Sequence, residues 1–179
     1  PLSLSKRIIE LFTHEGELLS YRNPLAPLSC RDKDGKDSLR LVTNNDWFNP
    51  KDFYLGSLGD FLDLDWGKVE TENLKLVMVD PKKAYGAEQK SIHIFVKIDS
   101  IAKHIDVIHT REEFYTDIVD LTPYLSQIKE SLKRRLEFTA NHKISFIGID
   151  TSAPIALNTK TYPLAQAVHI KSGDVTDIL

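Results

Sequence analysis

Residues 92–98 constrain the fold more than any other part of the sequence, because apolar side chains occupy every second position. Ile92, Ile94, Val96 and Ile98 have the spacing of one face of a β-strand. We therefore predict a strand that packs this face against a core. Other apolar runs predict further strands or extended chain at residues 39–43, 74–79, 105–107, 143–149 and 165–171.

Two later segments have residues typical of helix starts. Thr110 and Glu113 have the spacing of a capping box, in which each side chain binds the other residue's backbone N–H, and we predict a helix that continues to about Asp120. Thr122 and Pro123 predict a second helix, with Thr122 as the N-cap and Pro123 at the first helical position. Apolar residues then follow at helical spacing: Leu125, Ile128, Leu132 and Leu136.

These patterns together predict an α+β fold, in which an antiparallel or mixed β-sheet packs with two to three helices. The third helix is indicated by an apolar stripe within residues 5–13. We predict a single domain over residues 1–179, with a loop-rich region at 1–72 and a regular α+β core at 73–179. The N-terminal third is rich in aromatic residues and irregular. A chain of 179 residues can bury a core without cross-links.

The charges are nearly balanced, with 23 Lys and Arg residues against 26 Asp and Glu residues. This balance disfavours general nucleic-acid binding, because phosphate backbones attract basic surfaces, and we expect no sequence-specific nucleic-acid partner. The charges are nevertheless segregated, since residues 60–72 are acidic and residues 129–135 are basic. The single cysteine, Cys30, fits a reducing compartment, and we expect a cytoplasmic protein.

One pattern is compatible with catalysis. Asp80 ends a predicted strand, and Glu88 and Lys90 follow it. Nucleases of the PD-(D/E)xK type hold Mg²⁺ with such carboxylates and orient a water molecule with the lysine. The order Asp80-Pro81 is reversed here, and a solvated loop explains the same charges, so the nuclease stays an alternative.

The other residues give no indication of catalysis. His93 is predicted on the outward face of its strand, and His104 and His109 on opposite faces of theirs, so the histidines look scattered. The sequence contains no nucleophile elbow and no glycine-rich phosphate loop. We expect no enzyme activity, no cofactor and no metal.

Two segments are candidates for binding surfaces. Residues 47–66 are dense in aromatic and apolar side chains and are called the aromatic segment. Glycines at 56, 59 and 67 interrupt it and favour a short helix and irregular structure with some exposed rings. We expect self-association or partner binding there, through Trp47, Phe48, Phe53, Tyr54, Phe61 and Trp66. We expect the basic end of the second helix to contact an anionic surface, such as a membrane or the acidic segment of a second copy, through Lys129, Lys133, Arg134 and Arg135.

Residues 92–154 resemble the core of rhabdovirus-type matrix proteins, and the plant-infecting members are closest in size. The resemblance rests on the alternating strand, on the sequence Thr110-Arg111-Glu112-Glu113 before a helix, and on the strand Lys143-Ile144-Ser145-Phe146-Ile147-Gly148. Residues 1–9 resemble the Ser/Lys/Leu opening of such proteins. The sequence has no PPxY motif.

The resemblance implies a non-enzymatic structural protein of the virion that forms a homo-oligomer. It implies partners in the nucleocapsid protein and in the anionic inner face of an envelope, which the protein would touch as a peripheral membrane protein. It further implies a location in the host cytoplasm and in the virion. Two alternatives remain, the nuclease-like domain and an adaptor domain that binds a protein or peptide.

Overall fold

The computed structural model describes residues 11–14, 17–44, 51–80, 91–98, 101–109, 115–128, 131–154, 166, 168–169, 171 and 173–174. These residues form fourteen β-strands and two 3₁₀ helices. The strands are β1 (Leu11–His14), β2 (Glu17–Ser20), β3 (Ser29–Asp32), β4 (Tyr54–Gly56), β5 (Phe61–Asp65), β6 (Lys75–Asp80), β7 (Ser91–Ile98), β8 (Ile101–His109), β9 (Tyr115–Asp120), β10 (Lys133–Phe138), β11 (His142–Ile144), β12 (Phe146–Asp150), β13 (Val168–His169) and β14 (Gly173–Asp174). The 3₁₀ helices are Leu39–Val42 and Thr122–Gln127.

Two antiparallel sheets contain most of the strands. The larger has five strands in the order β3-β5-β10-β7-β8, and the smaller has three in the order β12-β6-β9. Two-stranded pairs join β1 with β2, β11 with β4, and β13 with β14. The predicted α+β fold with two to three helices is therefore wrong: the described residues are mostly β-sheet and contain no helix of seven or more residues. No helix among them is long and apolar enough to cross a membrane.

The two larger sheets pack face to face. Ile94 and Leu136 from the five-stranded sheet belong to the same hydrophobic cluster as Met78 and Ile147 from the three-stranded sheet, and all four are fully buried. This is the arrangement of a β-sandwich, whose inner faces interdigitate. The strand predicted at residues 92–98 is confirmed, because its alternate residues point into this shared core.

The helix predicted from Thr110 to about Asp120 is wrong where the structure describes it. Tyr115–Asp120 is strand β9, which pairs with β6, while residues 110–114 lie outside the described residues. Ile118 and Val119 are both buried, one on each face of the three-stranded sheet. A strand that is covered on both faces gives a continuous apolar run, and such a run does not distinguish a strand from a buried helix.

The second predicted helix is also wrong beyond its first turn. Pro123 does lie at the start of a helix, but the 3₁₀ helix ends at Gln127. Leu132 precedes β10 and Leu136 lies within it, and both are fully buried on the inner face of the sheet. A spacing of four residues places two side chains on one face of a helix and equally on one face of a strand. This segment is a strand because β10 pairs with both β5 and β7.

The N-terminal third is more regular than predicted. Residues 11–13 of the predicted first helix lie in β1, and residues 5–10 lie outside the described residues. The aromatic segment contains β4 and β5 instead of a short helix, and residues 39–42 form a 3₁₀ helix instead of a strand. A tight turn follows β3 at Asp34-Gly35, where Gly35 takes a φ of 77°.

Candidate functional site

The structure separates the six aromatic residues that were predicted to bind a partner. Trp47 and Phe48 lie outside the described residues. Tyr54 and Trp66 belong to the core: the ring of Tyr54 lies 5.8 Å from that of Phe138, and Trp66 Nε1 donates a hydrogen bond of 3.0 Å to the Leu25 carbonyl. The remaining two, Phe53 and Phe61, are half-buried.

The large apolar side chains that are exposed between residues 25 and 58 are leucines and not aromatic residues. Among the described residues the exposed large hydrophobic side chains are all leucines between positions 25 and 58: Leu25, Leu28, Leu55 and Leu58. The exposed fraction is 61% for Leu55 and 75% for Leu58. In β4 the alternation places Tyr54 inward and Leu55 outward. A strand at residues 54–56 would predict an outward Leu55, but the glycines at 56 and 59 favoured irregular structure there.

Phe53, Leu55, Leu58 and Lys143 form what we call the leucine patch. Leu55 pairs in register with Lys143 across β4 and β11. The Lys143 Nζ lies 5.2 Å from the centre of the Phe53 ring, a cation–π distance. Leu58 lies in the connection between β4 and β5, where Gly59 takes a φ of 81°. The patch is therefore aliphatic and aromatic with a single positive charge at its border.

The basic residues predicted at a helix end lie instead on β10, and Lys129 lies outside the described residues. Arg135 makes a bidentate ion pair with Asp63 on β5, in which Nε and Nη2 each donate a hydrogen bond of 2.8 Å. Its guanidinium carbon also lies 3.8 Å from the centre of the Phe61 ring. The hydrogen bonds to Asp63 raise the pKa of Arg135 above its usual value.

Lys133 and Asp65 form a second, longer ion pair between the same strands, at 3.5 Å. Burial alone would raise the pKa of Asp65, but hydrogen bonds from Ser131 and from the Gly67 N–H, together with the charge of Lys133, hold it below its usual range. The acidic and basic segments therefore meet within one chain, because β5 and β10 are neighbours in register. This pairing satisfies charges that were predicted to bind a second copy.

Arg134 points away from these pairs, into the sandwich, and is fully buried. Its Nη1 donates a hydrogen bond of 3.0 Å to the Lys133 carbonyl, whereas Nε and Nη2 are buried without a hydrogen-bond partner among the described residues. Burial lowers the pKa of Arg134 to about 10, so the side chain remains charged at neutral pH. Of the basic residues predicted to contact an anionic surface, Lys133 has the most exposed side chain among those that the structure describes.

A cleft of about 370 Å³ opens beside the ion pairs, between the hairpin that follows β3 and strands β5 and β10. Arg31, Lys33, Phe61 and Lys133 are among its lining residues. Lys33 is paired with Asp60 at 2.5 Å, and Arg31 Nη1 donates to the Gly35 carbonyl. The nearby Cys30 thiol is buried, and burial together with Asp37, Asp32 and Asp63 raises its pKa to about 12, so it is no nucleophile.

Strands β7 and β8 bring together two histidines that the sequence left apart. The Nδ1 atom of His93 lies 3.2 Å from the Nε2 atom of His104, and the edge of the Phe95 ring packs on His104 with 5.2 Å between ring centres. Among the described residues no cluster of three or more His, Cys, Asp or Glu side chains could hold a metal ion. A regular hairpin would place His104 on the inward face of β8, and a β-bulge turns it outward. No local sequence pattern indicates this bulge.

The residues of the nuclease alternative are not brought together by any described contact. Asp80 is the last residue of β6, and Glu88 and Lys90 lie outside the described residues. The alternative therefore stays a prediction.

Comparison with known proteins does not identify a family. No family model and no curated protein matches the chain. The crystal structure of SpGH29 is similar over 73% of this chain and 28% of its own, with a TM-score of 0.43 and 15% sequence identity. The chain thus spans little more than a quarter of that structure, and a likeness of this degree does not bear on function.

Proposed function

We propose that the protein is a non-catalytic assembly domain that self-associates through the leucine patch. The observation that carries the proposal is the exposure of the two patch leucines, Leu55 and Leu58, which are 61% and 75% exposed. Full burial of one such side chain contributes about 1.5–3 kcal/mol. Leu55 and Leu58 are three residues apart in the sequence and both are exposed, so a second copy could cover both at once.

The matrix-like role is the more specific form of this proposal. Its remaining support is the resemblance of the strands at residues 92–98 and 143–148, since the helix expected after Thr110 is strand β9 where the structure describes it. The resemblance implies nucleocapsid protein and an anionic membrane surface as partners. The charges on β5 and β10 contribute little to such contacts, because Arg135 is already paired with Asp63 and Arg134 is buried. Self-association is therefore the part of the role to test first.

Light scattering after size-exclusion chromatography, over a wide range of protein concentration, tests the proposal. We expect the mass of the wild-type chain to rise with concentration and the double variant Leu55→Ser/Leu58→Ser to stay monomeric. The matched control is Leu25→Ser/Leu28→Ser, which replaces two exposed leucines outside the patch and should associate like the wild type. A wild-type chain that is monomeric throughout, or a patch variant that associates normally, would contradict the proposal.

An adaptor function is the second candidate, and the cleft between β3, β5 and β10 favours it. The cleft is large enough for one side chain of a bound peptide, and Phe61 offers an apolar surface between charged neighbours. If the wild-type chain is monomeric at all concentrations, the adaptor function becomes the better candidate. Substitution of Phe61 by serine in a binding assay would then test whether the cleft takes part.

A further inference from the structure

We propose that His93 and His104 form a binding site for a divalent transition-metal ion, such as Cu²⁺, Ni²⁺ or Zn²⁺. The site lies on the outer face of the five-stranded sheet, where His93 is half-buried and His104 is exposed. The inference does not depend on self-association, since neither histidine belongs to the leucine patch. Neutral imidazole nitrogens are preferred ligands of these metals.

A β-bulge places His104 on this face. Asp106 on β8 pairs with Ile94 on β7. The next pair is Phe95 with His104, which leaves Ile105 as an extra residue. In a regular antiparallel ladder Ile105 would oppose Phe95, and His104 would point to the core. Instead Ile105 packs against the hydrophobic cluster, and the bulge turns His104 outward, as bulges near functional sites often do.

The separation of the two nitrogens fits a shared metal ion. Two imidazole nitrogens that bind one ion at about 2.0–2.1 Å, with an angle between about 90° and 110°, lie roughly 2.8–3.4 Å apart. His93 Nδ1 and His104 Nε2 are separated by 3.2 Å. Without a metal, the same nitrogens share one proton in a hydrogen bond.

The orientation of the rings supports the same conclusion. A straight N–H···N hydrogen bond with this nitrogen separation would place the ring centres roughly 5.5 Å apart. The observed distance is 5.1 Å, with 49° between the ring planes. At least one ring axis therefore departs from the line between the two nitrogens, which is compatible with two nitrogens that bind one ion. The edge contact from Phe95 limits rotation of the His104 ring.

The chemistry of the pair defines the class of ion. Two nitrogen ligands with solvent in the remaining positions favour metals that bind imidazole strongly, and affinity should follow the order in which Cu²⁺ exceeds Ni²⁺ and Zn²⁺. Calcium and magnesium prefer oxygen ligands and should not bind here. Glu137 on the neighbouring strand β10 pairs in register with His93.

Isothermal titration calorimetry of the full chain without an affinity tag tests the proposal, with Cu²⁺, Ni²⁺ and Zn²⁺ as separate probes. We expect one ion per chain and the tightest binding for Cu²⁺. His93→Gln and His104→Gln should each weaken binding by roughly tenfold or more, because even residues that only support metal ligands contribute this much. The matched control is His109→Gln, on the same strand, which should bind like the wild type.

Retention of wild-type affinity by either glutamine variant would overturn the site, and so would the absence of a one-to-one complex. A metal-dependent rise in Tm should appear in the wild type and in His109→Gln but not in the other two variants. Circular dichroism checks that each variant is folded. If a variant does not fold, the electron paramagnetic resonance spectrum of the wild-type Cu²⁺ complex decides: coupling to two nitrogens supports the site, and coupling to one or none overturns it.

Discussion

Replacement of Arg134 by methionine should stabilise the protein. The guanidinium is fully buried, and Nε and Nη2 have no hydrogen-bond partner in the part of the chain that the structure describes. Burial of an unsatisfied polar group costs about 1–3 kcal/mol. Methionine keeps an unbranched stem of similar length and removes the charge together with both unsatisfied N–H groups.

The pKa of Arg134 gives a second measure of the cost. Burial lowers this pKa to about 10, well below the ordinary value of an arginine, and a lowering of the pKa by one corresponds to about 1.4 kcal/mol. The charged form is thus disfavoured by about 3 kcal/mol relative to the neutral form. Replacement of buried charges by apolar residues of similar volume is often neutral or stabilising by about 1–4 kcal/mol. We therefore expect Arg134→Met to raise the free energy of unfolding by about 1–3 kcal/mol.

Urea denaturation followed by circular dichroism measures the change. Arg135→Met is the matched control on the adjacent position of β10, and it should destabilise the protein because it breaks the ion pair with Asp63 and the contact with Phe61. The two arginines should therefore give changes of opposite sign. An Arg134→Met variant that unfolds at a lower urea concentration than the wild type would refute the reasoning, because the buried N–H groups would then have stabilising partners in solution.

Two further changes test the core of the sandwich. Burial alone would raise the pKa of Asp150, but the hydrogen bonds from Lys75 and Ser152 hold it below its usual range. The ionised carboxylate therefore stabilises the fold above about pH 3.9. This stabilisation is lost as the pH falls through the lower pKa of the folded state. Urea titrations of Asp150→Asn should show a flatter acid dependence than the wild type, and equal slopes would contradict this. A Cβ at Gly56 would lie 2.9 Å from the Phe138 ring, so Gly56→Ala should lower the unfolding free energy by about 1–3 kcal/mol, partly restored by Phe138→Leu.

The sequence was sufficient to predict a strand where the two faces of the strand differ in polarity. In β7 the alternation continues over eight residues, and the structure buries Ile92, Ile94 and Val96 as predicted. The prediction failed for β10, where Arg134 occupies an inward position and interrupts the apolar face. Leu132 and Leu136 then fit a helix as well as a strand, and only pairing with distant strands distinguishes the two.

The candidate sites depend on contacts between strands, and local sequence patterns do not predict these contacts. Asp63 and Arg135 are 72 residues apart in the sequence, so the opposite charges of their segments indicated attraction but not whether it acts within one chain or between two. His93 and His104 are closer, at 11 residues. Their meeting still depends on one bulged residue, Ile105, which reverses the faces of the residues on one side of it.

The internal pairing of charges also determines what kind of surface remains for contact between copies. Asp63 and Arg135 already neutralise each other, and the Lys133–Asp65 pair does so more weakly. The leucine patch carries a single lysine, Lys143, at its border. Association through this patch should therefore be insensitive to salt or strengthened by it, because salt screens charges but does not weaken apolar burial. If association of the wild-type chain instead falls steeply as salt is added, charged residues hold the copies together and the leucines do not.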